Sequence, residues 1–320
     1  MIKGKKVLVT GATGFVGANL VRRLARIGAE VHITTRPTSN KWRISNIMSL
    51  VQDHCIDLRD TDQVEKLVQD VKPNIVYHLA TYGGHAFQQD VREIIDSNIL
   101  LIVNLLSALS KIEYDVFVNT GSSSEYGLKE KPMSEMDCAE PVNFYGAAKV
   151  SATLLGQVYA KRFNQPVVTL RIFSPYGYYD SAARLIPTVI TACLEGKKQL
   201  QLRGRTHVRD YIFIDDLLDA YLEAVDASKN LQGEIINIGS DMQHSIQEVV
   251  AKITHICRSP IEVRWEAAPH ESYEPKCWVA DITKVKEILC WKPKVSLTSG
   301  LEKTVNWFRE NLHLYSPEGV

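Results

Sequence analysis

Residues 6–17 read KVLVTGATGFVG, and this stretch decides the fold. The part up to Thr10 has the apolar pattern of a short strand, and glycines follow at positions 11, 14 and 17. A helical pattern then runs from Ala18 to Ile27 and ends at Gly28. Such glycines let the backbone turn tightly, approach a pyrophosphate closely and pack the helix against the strand. Their place between a strand and a helix predicts that a dinucleotide binds at the helix N-terminus.

Strand and helix patterns alternate along the first 173 residues. Further strands are predicted at Glu30–Thr34, Val51–Asp57, Ile75–Ala80, Val116–Asn119 and Val167–Phe173, and helices at Thr61–Val71, Ile94–Leu109 and Phe144–Arg162. Alternation of this kind predicts a mostly parallel sheet with helices on both faces. We therefore expect an α/β fold with a Rossmann-type doubly wound parallel sheet.

After residue 173 the alternation loosens. The pattern there predicts a helix at Ile186–Glu195 and strands at Tyr211–Ile214 and Ile235–Ile238. We predict that residues 1–173 plus 209–241 form a dinucleotide-binding domain, and that residues 174–208 plus 242–320 form a smaller C-terminal lobe. Ligands of open α/β sheets bind outside the carboxyl ends of the strands, so this lobe should hold the second substrate.

Composition limits the kinds of partner. The 320 residues carry 37 basic and 37 acidic side chains, so no net charge attracts nucleic acid or an anionic membrane. The six cysteines lack the Cys-x-x-Cys spacing of a metal site, and no apolar run is long enough to span a membrane. The N-terminus has no signal-peptide pattern. We expect a cytoplasmic protein with reduced thiols, no metal and a small-molecule partner.

Tyr145 and Lys149 lie four residues apart near the start of a predicted helix, in the run Asn143-Phe144-Tyr145-Gly146-Ala147-Ala148-Lys149. Four residues are about one helical turn, so the phenol and the ammonium project from one face. A cation at that distance favours the ionised phenol, which suits the tyrosine to exchange a proton. Together with the glycine turn, the pair predicts a nicotinamide-dependent enzyme.

The end of the second strand usually distinguishes NAD from NADP. NAD binders carry an acidic residue there that bonds the adenosine ribose, whereas this strand continues as Thr34-Thr35-Arg36 with Ser39, Lys41 and Arg43 nearby. Arg36 suits a 2′-phosphate and a stacked adenine, so we favour NADP(H), with NAD(H) as the alternative. Asp57, after the third strand, either bonds the adenine amino group or caps a loop.

Several motifs together resemble the extended short-chain dehydrogenases that modify nucleotide sugars. They are Gly11 to Gly17, Asp57-Leu58, His78-Leu79-Ala80, the serines at 122–124, Tyr145 to Lys149, Arg171-Ile172-Phe173, Arg209 to Asp216, Ala280 to Lys284 and Trp291-Lys292-Pro293. The resemblance spans nearly the whole chain and implies an NAD(P)-dependent enzyme that acts on a nucleotide-diphosphate sugar. The predicted cofactor-binding residues are then Gly11, Thr13, Gly14, Phe15, Val16, Gly17, Arg36, Asp57, Leu58, Leu79, Ala80, Thr81, Tyr145, Lys149 and Phe173.

In that family a serine or threonine, a tyrosine and a lysine act at one sugar carbon. Counting back from Tyr126-Gly127 places Ser122 at the hydroxyl position, with Ser123 and Ser124 as fallback candidates. The resemblance implies that Tyr145 exchanges a proton with the sugar C4 oxygen. Ser122 would hold that oxygen while hydride passes to or from nicotinamide, and Lys149 would bond the nicotinamide ribose.

The sequence leaves the reaction open. The family's 4,6-dehydratases carry a glutamate two residues before the Tyr-Gly motif, and often an aspartate before it, where this chain has Ser124 and Ser123. Glu125 lies one position later, a shift that turns its side chain elsewhere, so dehydration loses support. NADPH-dependent reduction of a 4-keto-6-deoxy sugar remains, and so does 4-epimerisation with a tightly held cofactor. Arg36 favours reduction. A non-catalytic dinucleotide-binding module is disfavoured, because Tyr145 and Lys149 are both present.

The same resemblance identifies substrate contacts. Arg209 would pair with the nucleotide diphosphate, unless it forms an ion pair with Asp210, Asp215 or Asp216. The predicted substrate-binding residues are Ser123, Ser174, Arg184, Leu185 and Arg209, with Ser174 in place of the family's asparagine. The segment from Pro269 to Pro275 stands where the family has a later diphosphate arginine. Residues 82–85 should shape the sugar pocket.

The helices at 94–109 and 147–162 carry apolar residues on more than one face. Covering a sheet requires only one apolar stripe of each helix. Relatives in the family pair these two helices across a dimer interface, so we predict a homodimer. A larger monomer core is the competing interpretation.

Overall fold

The computed structural model describes residues 2–266 and 275–315. Its strands are β1 (Lys6–Thr10), β2 (Glu30–Thr35), β3 (Val51–Cys55), β4 (Ile75–His78), β5 (Val116–Ser122), β6 (Val167–Ile172), β7 (Ser174–Tyr176), β8 (Gln199–Arg203), β9 (Val208–Phe213), β10 (Ile235–Ile238), β11 (Gln243–Ser245) and β12 (Glu262–Glu266). Its α-helices are α1 (Phe15–Arg26), α2 (Thr61–Val71), α3 (Val91–Ile95), α4 (Leu101–Leu109), α5 (Phe144–Phe163), α6 (Leu185–Leu194), α7 (Ile214–Asp226), α8 (Ile246–Cys257), α9 (Thr283–Ile288) and α10 (Leu297–Asn311). None of the helices described is long and apolar enough to cross a membrane.

A seven-stranded sheet forms the centre of the protein. Its order is β10-β6-β5-β4-β1-β2-β3, and every neighbouring pair is parallel. The strand order reverses at β1, which is the topological switch point where ligands bind in such sheets. The predicted α/β, Rossmann-type fold is therefore confirmed.

Both faces of the sheet are covered, as the alternation of helices predicts. Val7 and Val9 of β1 belong to the core on one face, where α1 and α7 pack. Leu8, between them, belongs to the core on the other face, with α2, α4 and α5. Successive side chains of a strand point to opposite faces, so one short strand serves both cores.

Helix 91–109 differs from its predicted form. The pattern predicts one helix from Ile94, whereas the structure begins at Val91 and inserts a π-helical turn, Asp96–Leu100, between α3 and α4. A π-turn shifts the side-chain register, and such turns are frequent at functional sites. Apolar periodicity does not reveal the extra residue in that turn.

The strand predicted at Tyr211–Ile214 forms as β9, outside the main sheet. β9 lies in a separate three-stranded sheet between β7 and β11, and Ile214 already begins α7. Of residues 209–241, β10 joins the main sheet by pairing with β6, and α7 covers one face of that sheet. An apolar strand pattern shows that a strand forms but does not show which sheet receives it. The division into two domains stays a prediction.

The C-terminal part packs beside the carboxyl edge of the main sheet. Helices α6, α8 and α10 contact one another, and α10 also contacts β9. A second small sheet pairs β8 with β12. Pro175 and Ser174, which follow β6, lead directly from the main sheet into this region. Residues on both sides of that crossing line one cleft.

Candidate active site

The glycine turn after β1 is built around two close backbone contacts. Gly11 has φ +68°, and a Cβ there would lie 2.6 Å from the Ala80 nitrogen at the end of β4. A Cβ on Gly17 would collide with the Gly11 carbonyl oxygen. Only glycine has both the backbone freedom and the space for these positions. The turn therefore brings β1, α1 and the loop after β4 into direct contact.

The N-terminus of α1 suits an anion. Its N-cap is Gly14, which makes no side-chain capping bond, and no acidic residue lies in the first helical turn. The first backbone N–H groups of a helix lack partners within it and carry the positive end of the helix dipole. Together with the open cleft that Gly11, Gly14 and Gly17 line, this geometry fits the pyrophosphate of a dinucleotide.

Two clefts meet at the glycine turn and share Gly11, Gly14, Leu79 and Thr81. The larger one, of about 560 Å³, lies over the carboxyl ends of β1, β4, β5 and β6 and is here called the large cleft. The smaller one, of about 220 Å³, lies beyond β2 and β3 and is here called the small cleft. The predicted site residues in the large cleft are Gly11, Gly14, Phe15, Val16, Gly17, Leu79, Thr81, Ser122, Ser123, Tyr145, Lys149, Phe173, Ser174, Arg184 and Arg209. Those in the small cleft are Gly11, Thr13, Gly14, Arg36, Asp57, Leu58, Leu79, Ala80 and Thr81.

Helix α5 holds the predicted tyrosine and lysine. Asn143 caps the helix by accepting a hydrogen bond from the Gly146 N–H at 2.7 Å. Lys149 is buried, its Nζ donates to the Thr120 carbonyl at 3.0 Å, and it lies 5.9 Å from the centre of the Tyr145 ring. The ammonium is thus fixed beside the phenol, as the four-residue spacing predicts.

Ser122 ends β5 and faces the same cleft. Its Oγ accepts a hydrogen bond from the Ser124 N–H at 3.1 Å, because Ser122 caps the short 3-10 turn Ser123–Glu125. A serine hydroxyl that accepts from the backbone still has its own proton to donate. Ser122 can therefore hold an oxygen atom near Tyr145.

Glu125 points away from the cleft. It is completely buried and contacts Arg171 and Thr153 through its Oε2. The prediction that its side chain is turned away from the site agrees with this position. Ser123 and Ser124 face the large cleft instead.

The loop after β4 packs against Tyr145. A Cβ on Gly83 would lie 3.2 Å from the Tyr145 Cδ2, and one on Gly84 would lie 3.9 Å from its hydroxyl. Gly84 and His85 also line the large cleft, which agrees with the expectation that residues 82–85 shape a pocket. Burial lowers the pKa of His85, and the charges of Arg184 and Arg43 lower it further.

Asn98, in the π-turn, is a site residue that the sequence reasoning missed. Its amide donates to the Tyr82 and Ile94 carbonyls, both at 2.7 Å, and accepts from the Thr81 hydroxyl at 2.6 Å. The π-turn thereby anchors the loop that touches Tyr145. The sequence feature that could have identified Asn98 is the presence of an asparagine inside an otherwise apolar helix.

His78 lies beneath the site at the end of β4. It is buried and its Nδ1 lies 2.8 Å from the Thr10 hydroxyl. Burial lowers the pKa of His78 to about 3, and the charge of Lys149 acts in the same direction. The imidazole is therefore neutral at physiological pH, and His78 places no second positive charge beside Lys149.

The small cleft contains a cluster of charged side chains. Arg59 binds both oxygens of Asp57 and also contacts Glu93 at 3.2 Å, while Arg36 lies 3.5 Å from Glu93. Asp57 also accepts from the Arg59 N–H at 3.0 Å, so the loop-cap interpretation of Asp57 applies. Bonding to Arg59 lowers the pKa of this carboxyl. Arg36 is about half exposed and faces the cleft.

Two basic residues near the end of β2 lie elsewhere than expected. Lys41 forms an ion pair with Asp53 at 2.5 Å and does not line the small cleft. Arg43 faces the large cleft, where it donates to the Tyr179 carbonyl at 2.7 Å and to the Thr13 carbonyl at 3.3 Å. The 3-10 segment Trp42–Leu50 carries Arg43 back over the glycine turn, which strand patterns do not indicate.

The far wall of the large cleft contains Ser174, Arg184 and Arg209. Arg184 lies 3.7 Å from the buried Asp180, and the Arg209 guanidinium lies 5.1 Å from the centre of the Trp278 ring. Leu185, predicted to contact substrate, packs instead against the core, because α6 starts at this residue and turns it inward.

The three aspartates considered as partners of Arg209 are engaged elsewhere. Asp210 accepts from Ser240 and the Ala280 N–H, Asp215 pairs with Arg23, and Asp216 accepts from two backbone N–H groups. The family's later diphosphate arginine would stand in the segment 269–275, which lies outside the described residues except for Pro275. Pro275 lines the large cleft.

Across the described residues, no group of three or more histidine, cysteine or acidic side chains could hold a metal ion.

Comparisons with known proteins agree with one another. A family model described as "NAD dependent epimerase/dehydratase family" matches residues 7–239. A UDP-N-acetyl-α-D-glucosaminuronate decarboxylase from Bacillus cytotoxicus is 30% identical over 321 residues, covering 96% of this chain and 98% of that protein.

Solved structures of two epimerases are similar to this chain over nearly its whole length. A UDP-glucuronic acid 4-epimerase from Bacillus cereus, in complex with UDP-glucuronic acid and NAD, is 33% identical with a TM-score of 0.85, covering 96% of this chain and 99% of that chain. A UDP-glucose 4-epimerase from Thermotoga maritima, with UDP-glucose, is 26% identical with a TM-score of 0.86 over the same shares of the two chains.

Replacing Gly11 by alanine tests the close contact with β4. Gly4 provides a matched control, because its φ is +73° and a Cβ there meets no atom within 4 Å. Both substitutions carry the strain of a positive φ, about 1–2 kcal/mol. Gly11→Ala should cost about 1–3 kcal/mol more, by overpacking, and should abolish dinucleotide binding. Thermal unfolding and calorimetric titration measure both effects, and equal behaviour of the two variants would contradict the assigned contact.

Proposed function

Because the chain belongs to the NAD dependent epimerase/dehydratase family, we propose that it reduces nucleotide-linked 4-keto-6-deoxyhexoses at C4 with NADPH. It is an enzyme of nucleotide-sugar chemistry, and its cofactor is a nicotinamide dinucleotide. The choice of reduction, of NADPH and of this sugar class is the proposal. The remaining alternatives are C4 epimerisation, dehydration and binding without catalysis.

The described lining of the large cleft carries the proposal, because it contains no carboxylate. Among the described residues, none of those lining this cleft is an aspartate or glutamate. Removal of a carbon-bound proton, which sugar dehydration requires, needs a base, and serine is not one unaided. Ser123 and Ser124 occupy the positions of the dehydratase acids, and Glu125 is buried behind them. This supports chemistry confined to the C4 carbon and its oxygen.

Each predicted catalytic group has a distinct task in this reaction. Gly11, Gly14 and Gly17 would hold a dinucleotide at the glycine turn, and its nicotinamide would supply hydride to the C4 carbon. Tyr145 gives its phenolic proton to the C4 oxygen, so the carbonyl becomes an alcohol. Ser122 donates a hydrogen bond to that oxygen and orients it. Lys149, held by the Thr120 carbonyl, stabilises the phenolate that remains on Tyr145.

The charges around the large cleft suit a nucleotide diphosphate. Arg43, Arg184 and Arg209 line its walls, and the buried Asp180 lies 3.7 Å from Arg184. A guanidinium donates two parallel hydrogen bonds to phosphate oxygens. We assign Arg184 and Arg209 to the nucleotide end of the substrate, with Ser123 and Ser174 nearer the sugar.

Arg36 supports NADPH over NADH. The end of β2 presents no carboxylate toward the small cleft. Asp57, which follows β3 and lines the same cleft, is bound by Arg59. Arg36 is about half exposed at the cleft and can turn toward a 2′-phosphate. A reductase consumes its reduced cofactor in every turnover, so preference for NADPH is consistent with net reduction.

Epimerisation at C4 is the second candidate. The two solved structures described above are 4-epimerases, and one of them contains NAD. An epimerase needs the same serine, tyrosine and lysine, because it oxidises C4 and then returns the hydride to the other face. Net consumption of NADPH distinguishes the two reactions.

We also propose a homodimer formed through the helices at 91–109 and 144–163. Ile95, Leu100, Leu154 and Val158 on these helices are 43–53% exposed. Other apolar residues of the predicted interface, Ile102, Leu105 and Leu106, belong to the monomer core. Four large apolar side chains on adjacent helices support an interface with a second copy of this chain.

Turnover is tested with purified enzyme, NADPH and a nucleotide-linked 4-keto-6-deoxyhexose. We expect stoichiometric loss of NADPH absorbance and formation of a 4-hydroxy sugar. Tyr145→Phe should lower kcat by about a hundredfold or more, because the proton donor is lost. Interconversion of 4-hydroxy sugars by wild-type enzyme without net NADPH loss would identify an epimerase.

Cofactor choice is tested with Arg36→Met, and Arg59→Met in the same cleft is the matched control. Loss of a charged contact to a 2′-phosphate should raise the Kd of NADPH by about tenfold or more and leave that of NADH nearly unchanged. Arg59→Met should affect both cofactors alike. Fluorescence titration gives the four constants, and equal losses for NADPH and NADH in Arg36→Met would refute the assignment.

The dimer is tested with Leu154→Glu. Leu50, which is 60% exposed on the 3-10 segment, gives the control Leu50→Glu. Sedimentation velocity should show a dimer for wild type and for the control. Leu154→Glu should be a monomer, because the interface would bury a carboxylate without a partner. A monomeric wild type at micromolar concentration would rule the dimer out.

A further inference from the structure

Glu125 connects three elements of the candidate active site. Its Oε1 accepts a hydrogen bond from the Ser122 N–H at 2.8 Å. Its Oε2 accepts from the Arg171 Nε at 2.8 Å and from the Thr153 hydroxyl at 2.9 Å. Glu125, Arg171 and Thr153 are all buried. One carboxylate therefore joins the end of β5, helix α5 and strand β6.

Each of these elements carries groups that line the large cleft. β5 ends at Ser122, and α5 carries Tyr145 and Lys149, with Thr153 one helical turn beyond the lysine. β6 leads directly into Phe173. Bonds to this one side chain thus link the serine to the helix of the tyrosine–lysine pair, in addition to the bond from Lys149 to the Thr120 carbonyl.

The backbone beside Ser122 is shaped for this carboxylate. A Cβ on Gly121 would lie 2.7 Å from the Glu125 Oε1 and 3.0 Å from the Arg171 Cγ. Glycine is therefore required next to Ser122 for the carboxylate to reach the Ser122 N–H. This is a constraint on the strand end that does not involve the cleft itself.

We propose that Glu125 is a positioning residue that fixes Ser122 relative to Tyr145 and Lys149. Its carboxylate holds the backbone of the serine, while the Ser124 N–H holds the hydroxyl oxygen. Both ends of Ser122 are thereby fixed, and its hydroxyl proton is directed to the substrate. The inference rests on the proposed role of Ser122 at the C4 oxygen.

A stabilising role and a positioning role predict different effects on kcat when Glu125 is replaced. Replacing a buried ion pair by apolar residues of similar volume is often neutral or favourable for stability. The bond from the Ser122 N–H is also half of a capping box, in which Ser122 caps the turn Ser123–Glu125 and the Glu125 side chain accepts from the N-cap backbone. Burial raises the pKa of Glu125, and the charge of Arg171 opposes that shift.

A double-mutant cycle on kcat tests the proposal. Glu125→Gln keeps the shape but weakens the bonds to Ser122 and Arg171, and we expect kcat to fall about tenfold to a hundredfold. Substrate KM and dinucleotide Kd should stay within about threefold. In a Ser122→Ala background the same substitution should change kcat by less than about twofold, because the hydroxyl that it positions is absent.

Two further variants keep the test informative. Thr153→Val removes one of the three bonds with little change in volume, so it should fold even where Glu125→Gln does not. It should lower kcat by about twofold to tenfold, again only when Ser122 is present. Glu135→Gln is the control, because Glu135 also accepts a backbone N–H, that of Asn237 at 2.7 Å, but Asn237 lines neither cleft, whereas Ser122 lines the large one.

The result that would overturn the proposal is an equal loss of kcat with and without Ser122, or a loss of kcat in Glu135→Gln as large as that in Thr153→Val. The cycle is run on whichever nucleotide sugar the wild-type enzyme converts, since the serine holds the C4 oxygen in reduction and in epimerisation. Failure of the wild type to reduce a 4-keto sugar would count against the proposed function and not against the role of Glu125.

Discussion

The approach of Gly11 to the end of β4 is the contact on which the rest of the site depends. It brings the N-terminus of α1 next to Leu79 and Thr81, and both clefts meet there. A side chain at Gly11 would separate β1 from β4 by the width of a methyl group. The anion site and the loop that contacts Tyr145 would then no longer adjoin. The strand-order reversal at β1 places this contact at the switch point of the sheet.

The distribution of charge around the site separates the binding of substrate from the positioning of the site's own residues. Cationic side chains line the large cleft, whereas Glu125, in the turn after Ser122, lies in the core. Cations attract and orient a phosphate-bearing substrate. A carboxylate in the same cleft would instead remove protons from carbon or repel the diphosphate. Placing Glu125 behind Ser122 allows a negative charge to organise the site without taking part in the chemistry.

Local sequence patterns predicted much of the fold and part of the site. The bounds of β1, α2 and β10 match their predicted ranges, because each is a short periodic segment between clear end signals. Tyr145 and Lys149 share a helix, so their spacing alone placed them together. The resemblance to known enzymes supplied Ser122, which no local pattern singles out among three serines.

Features that depend on distant contacts could not be predicted in this way. β9 joins a small sheet through β7 and β11, which lie far from it in sequence. Arg43 reaches the glycine turn because a 3-10 segment folds back across it, and Asn98 acts through a π-turn that periodicity does not reveal. Leu185 was assigned to the substrate from its neighbour Arg184, although a helix start turns the two side chains in different directions. These differences concern the direction of a side chain, the pairing of a strand, and the π and 3-10 turns that lie between regular elements.

Deuterium transfer tests C4 reduction most directly. NADPH carrying deuterium at the transferable position of nicotinamide is incubated with enzyme and a nucleotide-linked 4-keto-6-deoxyhexose, and the product is examined by NMR and mass spectrometry. Reduction predicts one deuterium per molecule, located at C4, with no exchange of the C5 hydrogen with solvent. Deuterium that stays on the cofactor while the sugar changes configuration, or solvent hydrogen at C5, would contradict it.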